Sequence, residues 1–474
     1  MDDERSFRVE KDSLGEKLVP SDAYYGIQTL RAAENFPISG IMPKAVFVTA
    51  TAIVKKASAM ANVELGLLDR KRGAAIVKAA DEIISGRLHG EFFVDVYQAG
   101  AGTSHNMNAN EVIANRAIEI LGGVKGSYST VHPNDHVNMS QSTNDTMPTA
   151  LRVACLLSAP ALLSSLKRLQ RGLERKSREF STIIKSGRTH LQDAVPVRLG
   201  SEFGSYASSI KSSIERITAA LDGLKKIGLG GTAAGTGINT HPLYRKTVLR
   251  TLTKAAGIKS LRPAPDGFEA LNGMGDFTAF SGALKNTALE LIRIANDLRL
   301  LGSGPHTGLA EITLPAVQPG SSIMPGKVNP VMAEMLDMVC FQVVGSDITV
   351  TLAAQAGQLE LNVMLPVVNY NILQSVEILT TSVEVFTVRC VAGIKADKKR
   401  CRGYFEQSVG LATALNRFIG YEKAASIAKE AAATGRTVKE LVIENGLFTE
   451  KEWKAVAEAS TGPADLKKIK KMRR

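Results

Sequence analysis

The stretch "FGSYASSIKSSIERITAALDGLKKI", Phe203 to Ile227, decides how this chain folds. Its apolar residues fall at Phe203, Tyr206, Ile210, Ile214, Ile217, Leu221 and Leu224. Steps of three and four keep one narrow stripe on one side of an α-helix, as in a coiled-coil seam. Such a stripe must be covered, and other helices cover it at crossing angles of about 20°. The rhythm recurs at Leu162, Leu166, Leu169 and Leu173, and at Leu284, Ala288, Leu291, Ala295 and Leu298. It recurs again at Ile372, Val376, Leu379, Val383, Phe386 and Cys390, and another helix is expected over 331–354. The centre, 146–394, therefore reads as an elongated bundle of long helices in a mainly α fold. Seams on more than one face suggest that bundles pair between subunits.

The flanks differ. "FRVEKDSLGEKLVP" near the start reads as a short hairpin or extended arm, with helices expected at 43–67, 70–86 and 108–121. The last 80 residues read as shorter helices, one of them opened by Thr449 and Glu452 as a capping box. Three domains are expected, 1–145, 146–394 and 395–474, in line with about 100–200 residues per domain.

Hydrophobic content of 44% and charged content of 22% describe a soluble globular chain. The opening Met-Asp-Asp-Glu-Arg holds no apolar run, so no signal peptide is expected, and no stretch reaches about 18 consecutive apolar residues. Cys155, Cys340, Cys390 and Cys401 lie far apart and form no CxxC pair. They read as small core residues in a reducing compartment, which places the protein in the cytoplasm. The net charge of +12 raises nucleic acid as a partner, but the charge is spread along the chain. Its densest cluster, Lys467 to Arg474, lacks interleaved aromatics and reads as a solvated tail. Neither nucleic acid nor a membrane is expected as a partner. Positive charge has another use, steering small polyanions into a cleft.

Between the helical blocks lie polar, glycine-rich segments that a purely structural bundle does not need. They are "GAGTSHNMNANE" (100–111), "HPNDHVNMSQSTND" (132–145), "SGRTHLQDAVP" (186–196), "GLGGTAAGTGIN" (228–239) and "QPGSSIMPGKVNP" (318–330). Serine, threonine, asparagine, histidine and lysine, with glycines that admit close backbone approach, suit the gripping of carboxylates. Each segment also has a plainer reading. "GLGGTAAGTG" is not GxxxxGK[ST], and no strand is evident before it. His132 and His136 are spaced like metal ligands, but Pro133 favours a turn with a satisfied histidine. His190 is either an interior polar residue or a substrate contact. The last segment is either a surface loop or a lid carrying a base. A basic helical scaffold for acidic partners is the non-enzyme alternative, and it has no use for a serine–lysine loop. No cysteine–histidine set at metal spacing is present.

"GSSIMPGKVNP" (320–330) resembles the signature of the aspartase/fumarase superfamily. "DAYYGIQTLRAAENFPI" (22–38), "GAGTSHNMNANEV" (100–112), "HVNMSQSTNDTMPTA" (136–150), "GRTHLQDAVP" (187–196) and "GQLELNVM" (357–364) resemble it in the same order, over nearly the whole chain. The aspartate ammonia-lyase branch is the most similar and class II fumarase is second. The resemblance implies a three-domain, mostly helical fold whose central helices pool into a tetrameric bundle, with each active site drawn from three subunits. It implies elimination from a succinate derivative to give fumarate, here loss of ammonia from L-aspartate. It assigns Thr103, Ser142, Thr143 and Asn144 to the substrate's α-amino and carboxylate groups. Thr189 and His190 hold the carboxylate next to the carbon that loses its proton. Ser321 is the base, and Lys327 and Asn329 bind carboxylate from a loop spanning 317–330; the catalytic set is Ser321, Lys327 and His190. No cofactor is implied; the family holds members with and without divalent-metal activation, and no ligand set here decides between them.

The chemistry suits these residue types. Proton removal beside a carboxylate builds a dianionic aci-carboxylate, which needs preorganised donors and a cation. A serine alkoxide is costly. One nearby opposite charge moves a pKa by about 1–3 units, so Lys327 alone does not ionise Ser321 and backbone N–H groups must add to it. Glycines at 320 and 326 permit loop closure. Fumarases usually read GTQ, SSND and QTQR where this chain has Gly102-Thr103-Ser104, Ser142-Thr143-Asn144-Asp145 and Gln28-Thr29-Leu30-Arg31, which favours ammonia loss. His306, Ser201 and Leu365 depart from the usual aspartase arginine, glutamine and glutamate, and leave the exact amine substrate open.

Overall fold

The computed structural model of the chain describes residues 6–462, so the basic tail from Lys467 lies outside the described residues. Helix accounts for 62% of residues, which makes the class mainly α. In chain order, strands β1 (Phe7–Asp12) and β2 (Gly15–Pro20) precede helices α1 (Ile27–Asn35), α2 (Ala45–Glu64), α3 (Arg70–Ile84) and α4 (Thr103–Ile120). Then come α5 (Thr143–Glu179), β3 (Ile184–Thr189), β4 (Gln192–Arg198), α6 (Leu199–Gly223) and β5 (Lys226–Ile227). They are followed by α7 (Tyr244–Ala256), β6 (Arg262–Pro263), α8 (Gly267–Asn272), α9 (Gly275–Leu301) and β7 (Ile312–Thr313). Helices α10 (Val331–Gln355) and α11 (Leu365–Arg389) lead through β8 (Lys395–Ala396) to α12 (Lys398–Gln407) and α13 (Leu411–Ile419). Last are α14 (Tyr421–Thr434), α15 (Val438–Glu444) and α16 (Glu450–Ala459).

The long helices form where the seams predict them. Leu162, Leu166, Leu169 and Leu173 of α5 are fully buried, as are Ala288, Leu291, Ala295 and Leu298 of α9. On α11, Ile372, Val376, Leu379, Val383, Phe386 and Cys390 are all inside. On α6 the stripe is buried except at Ile214, which is half-exposed. Helix α5 begins well before its leucine seam and runs 37 residues, straight through Pro160. Helices α5 and α10 are also long and apolar enough to cross a membrane by length and composition; 61% of the apolar window of α5 is buried and 39% of that of α10.

The chain divides into two compact units. The first holds the chain up to Leu163 with Ser213–Ala288 and Cys340–Thr380; the second holds Ser164–Ser212, Leu289–Val339 and the chain from Thr381. In the first unit α2, α3 and α4 close over a core that includes Ile76, Ile83, Ile113 and Ile118. The expected hairpin forms, with Phe7 opposite Pro20 and Asp12 opposite Gly15. Arg31 of α1 grips Asp12 through two bonds of 2.8 and 3.0 Å, which ties the arm down. The start of α1 rests on Glu111 of α4, whose carboxylate accepts from the N–H groups of Gly26, Gln28 and Thr29 and from the Thr29 hydroxyl. An anion suits the positive end of a helix. Burial nevertheless pushes the Glu111 carboxyl up to about 7. In the second unit α12 to α16 surround Phe405, Leu415, Leu441 and Trp453. Thr449 and Glu452 make the expected capping box, and Thr437 with Glu440 makes another that the sequence reading does not anticipate.

All four cysteines are buried, as expected: Cys155 and Cys340 in the first unit, Cys390 and Cys401 in the second. The His132–His136 pair is a turn. Residues Pro133–Val137 form one π-type turn, and His132 N–H donates to Nδ1 of His136 at 2.8 Å. Two local expectations need correcting. Helix α4 starts at Thr103, five residues before the expected Asn108, because the left-handed residues Ala101 and Gly102 end the preceding turn directly at Thr103. A strand does precede the glycine-rich segment at 228–239: β5 pairs in parallel with the distant β6.

Candidate active site

The first unit presents two helix starts. Thr103 is the first residue of α4, exposed, with its hydroxyl 3.4 Å from the Gly100 carbonyl. Ser142, Thr143 and Asn144 form the start of α5. Ser142 Oγ accepts from Asn144 N–H at 3.2 Å, and Asn144 Nδ2 donates to the Ala233 carbonyl at 2.8 Å. Unpaired N–H groups and the helix dipole make such starts receptive to anions.

Asp145 holds this start in place from below. Its Oδ1 accepts from Ser142 N–H at 3.0 Å, and its Oδ2 accepts from Gly230 and Thr232 N–H, both at 2.9 Å. Two N–H groups of the glycine-rich segment are thus engaged by the chain's own carboxylate. Asp145 is buried, and burial pushes its carboxyl up to about 6 against the pull of those three bonds and of Lys55.

Lys55 of α2 is the residue the sequence reading misses. It is fully buried, and its ammonium donates to Asn138 Oδ1 at 2.8 Å and to Gln141 Oε1 at 3.0 Å. Asn138 Oδ1 also accepts from Asn106 Nδ2 at 3.3 Å, and Asn106 donates in turn to Thr143 Oγ1 at 3.1 Å. A chain of side chains therefore links Lys55 to Thr143. Burial depresses Lys55 to about 7, with Asp145 pulling the other way. Burial, helped by the charge of Lys55, depresses the neighbouring His105 to about 3, so its ring is neutral and rests 3.1 Å from Thr51 Oγ1. The available signal is Lys55 directly behind the largely apolar "AVFVTATAIV" (45–54); nothing in its spacing points to Asn138.

The second unit carries the other sequence-predicted residues. Thr189 and His190 stand exposed at the tip of the β3–β4 hairpin. Thr189 pairs with Gln192, so the turn is His190-Leu191, with φ of 55° and 58°. Two positive φ values are what a tight hairpin turn demands, yet glycine or asparagine normally supplies them. Histidine and leucine there store strain, which marks a place held for a reason other than stability. Below the tip, Arg188 pairs with Glu311 at 2.9 Å, and Lys185 pairs with Glu311 at 2.7 Å and Glu202 at 2.9 Å. That largely buried network fixes the strand that bears the tip.

Ser321 lies in the 320–330 loop, half-buried. Its Oγ accepts from the N–H groups of Ile323 at 3.2 Å and Met324 at 2.9 Å. The loop is pinned across its neck: Gly320 N–H donates to the Lys327 carbonyl at 3.0 Å, and Asn329 Nδ2 donates to the Gly320 carbonyl at 2.6 Å. A Cβ at 320 would meet the Lys327 carbonyl at 2.2 Å, so glycine there serves close approach, while Gly326 takes the left-handed φ of +80°. The Lys327 side chain is exposed. The structure thus gathers Ser321, Lys327 and Asn329 into one loop, and Thr189 and His190 into one tip. Among the described residues no hydrogen bond joins that loop to that tip. No group of three or more His, Cys, Asp or Glu converges as for a metal ion, again among the described residues.

A family model described as lyase matches residues 15–345, and one described as fumarase C C-terminus matches residues 411–460. The chain belongs to the aspartase/fumarase superfamily. It is 52% identical to the aspartate ammonia-lyase of Bacillus sp, over 94% of this chain and 95% of that one. It is 47% identical to the aspartate ammonia-lyase of Escherichia coli (strain K12), over 94% of each. Among solved structures it resembles the cobalt-bound fumarate lyase:delta crystallin from Brucella melitensis, with a TM-score of 0.93, 51% identity, and coverage of 96% of this chain and 98% of that one. The recombinant class II fumarase from Schistosoma mansoni gives a TM-score of 0.91 at 38% identity, covering 95% and 98%. Superfamily membership and the mostly helical fold stand as the sequence motifs implied.

Proposed function

We propose that the chain eliminates ammonia from L-aspartate, reversibly, to give fumarate, with Ser321 as the general base. The activity is that of carbon–nitrogen lyases that share about half of its residues over nearly its full length. The observation that carries the mechanism is the pair of backbone N–H groups on Ser321 Oγ. An alkoxide formed there meets two donors already aimed at it, and charge-assisted bonds are roughly twice as strong as neutral ones. The oxygen takes the C3 proton, and the electron pair moves into the adjacent carboxylate to form the dianionic aci-carboxylate. That dianion then collapses to fumarate as the C–N bond breaks and the ammonium group departs as ammonia. Lys327 supplies positive charge to the carboxylate and to the alkoxide, and Asn329, Thr189 and His190 hold the same carboxylate. Thr103, Ser142, Thr143 and Asn144 bind the α-amino and far carboxylate groups. No cofactor enters these steps.

The working form in this reading is a cytoplasmic homotetramer with sites shared among three subunits. Helix α10 supports it. Met338, Phe341, Ile348 and Leu352 are 64%, 58%, 57% and 62% exposed at steps of three, seven and four, one continuous stripe. The strained, exposed hairpin tip likewise suits a part offered to another subunit. Ultraviolet absorbance of fumarate with L-aspartate and L-malate side by side tests the activity. Aspartate turning over faster is expected; malate turning over faster replaces the reading with that of a class II fumarase. Mixing Ser321→Ala with His190→Ala tests the assembly: hybrid sites regain activity, and failure to regain any counts against shared sites.

A further inference from the structure

The second unit holds a groove of about 500 Å³ at the base of the β3–β4 hairpin, far from its tip. Strand β3 is extended from Ile184 to Thr189, so the groove and Thr189 are about 17 Å apart along it. Phe405 and Trp453 form an apolar floor, only 4% and 5% exposed. Five cations ring that floor: Arg198, Lys398, Arg402, Lys439 and Lys454. Two acids stand among them, and each is already engaged. Glu406 pairs with Arg402 at 2.7 Å and Glu450 with Lys439 at 3.0 Å. Arg198 spends one donor on the Ser181 carbonyl. Lys398 and Lys454 make no ion pair or side-chain hydrogen bond among the described residues. Three positive charges are therefore left over in one concavity with an apolar floor, where field lines are focused rather than dispersed.

We propose that this groove binds a small polyphosphate anion, inorganic or carried on a nucleoside. Three cations match an ion of three or more charges with several acceptor oxygens, more than a dicarboxylate offers. The volume is in the range of ordinary ligand sites, about 300–1,000 Å³, and the aromatic floor can seat a planar base. The assignment does not depend on the lyase reaction.

The test is calorimetric titration of the full chain with inorganic tripolyphosphate, with adenosine triphosphate and succinate as further arms, at about 0.15 M salt. Saturable binding at one site per chain is expected, with a Kd below about 1 mM. Trp453 is the only tryptophan among 474 residues, so its emission reports whether the bound ion sits here. Lys398→Ala/Lys454→Ala should raise the Kd at least about tenfold, while Lys423→Ala/Lys429→Ala, the same charge change on exposed α14, should alter it less than about twofold. Far-ultraviolet circular dichroism and the thermal melt of both double variants, at the wild-type level, verify the fold. Tighter binding of the nucleotide places its base on the floor, and equal binding makes phosphate the whole ligand. No saturable binding, equal weakening by the two double variants, or succinate binding as tightly as tripolyphosphate would overturn the proposal.

Discussion

Replacing Lys55 by methionine keeps a flexible unbranched side chain in α2 and deletes one buried amine. In the folded chain burial holds that amine at about 7. In the unfolded chain it titrates near its ordinary value of about 10.4. Between the two, the unfolded state carries a proton that the folded state has released. Raising the pH through this window therefore favours the folded state, and the contribution is lost as the pH falls toward 7. The slope is about 1.4 kcal/mol per pH unit, so from about pH 7.5 to 9.5 the wild type should gain about 2.7 kcal/mol that Lys55→Met does not. Asn138 Oδ1 and Gln141 Oε1 lose a donor in the variant, which shifts its whole curve and leaves the difference in slope untouched. Asp145 and Glu111 titrate at or below the lower edge of the window, and within the window Lys55 is neutral in the fold, so its removal takes no charge away from Asp145 there. Urea denaturation at several pH values, followed by circular dichroism, gives both curves. Parallel curves would refute the reasoning: Lys55 would then be charged in the fold, with its two amide oxygens and Asp145 repaying the burial.

Further outcomes are expected. Ser321→Ala should lower kcat by about 10²–10⁴-fold with a small change in KM, and Ser322→Ala should be mild; a folded Ser321→Ala keeping more than about a tenth of kcat would move the base elsewhere. Lys327→Ala should raise KM and lower kcat together in steady-state assays, and Lys327→Arg should rescue only in part, because a guanidinium fork is wider than an ammonium. Asp145→Ala strands the N–H groups of Ser142, Gly230 and Thr232 and should cost about 3 kcal/mol or more by chemical denaturation, with Asp145→Asn losing less because it keeps one acceptor oxygen. Thr437→Ala removes one half of the capping box on α15 and should cost about 1 kcal/mol in the same measurement.

The long helices were legible because a seam is a local repeat. Each of α5, α6, α9 and α11 shows its buried stripe at the expected residues, Ile214 apart, without reference to its neighbours. The histidine turn at 132–136 was legible for the same reason, since Pro133 acts on its immediate surroundings. What escaped depends on distant parts of the chain. The strand before Gly228 exists only because Arg262 and Pro263 come alongside it. The start of α4 hid within a polar, glycine-rich run where Ala101 takes a left-handed turn that its type does not announce. The family resemblance of the Ser321 loop implied a base, and the cost of an alkoxide called for backbone donors, but that the N–H groups of Ile323 and Met324 are the ones that reach Ser321 Oγ is a matter of turn geometry. Lys55 was out of reach altogether: its partners lie more than 80 residues away, and a lysine in an apolar run gives no sign of which amide will receive it.

The four buried thiols have a practical consequence. Two lie in each compact unit, none forms a disulfide, and burial raises the pKa of Cys155, Cys390 and Cys401. Only a thiolate reached by solvent reacts with an electrophile, so modification of any one of them requires the surrounding packing to open first. Under brief labelling at rising urea, the order in which the four sulfurs are trapped becomes a clock for the chain. Cys155 and Cys340 time the opening of the unit that bears Thr103 and the Ser142–Asn144 helix start, and Cys390 and Cys401 time that of the unit that bears the hairpin and the serine loop. If the two pairs keep different time, the two units open separately, and inactivation will follow whichever pair is trapped first.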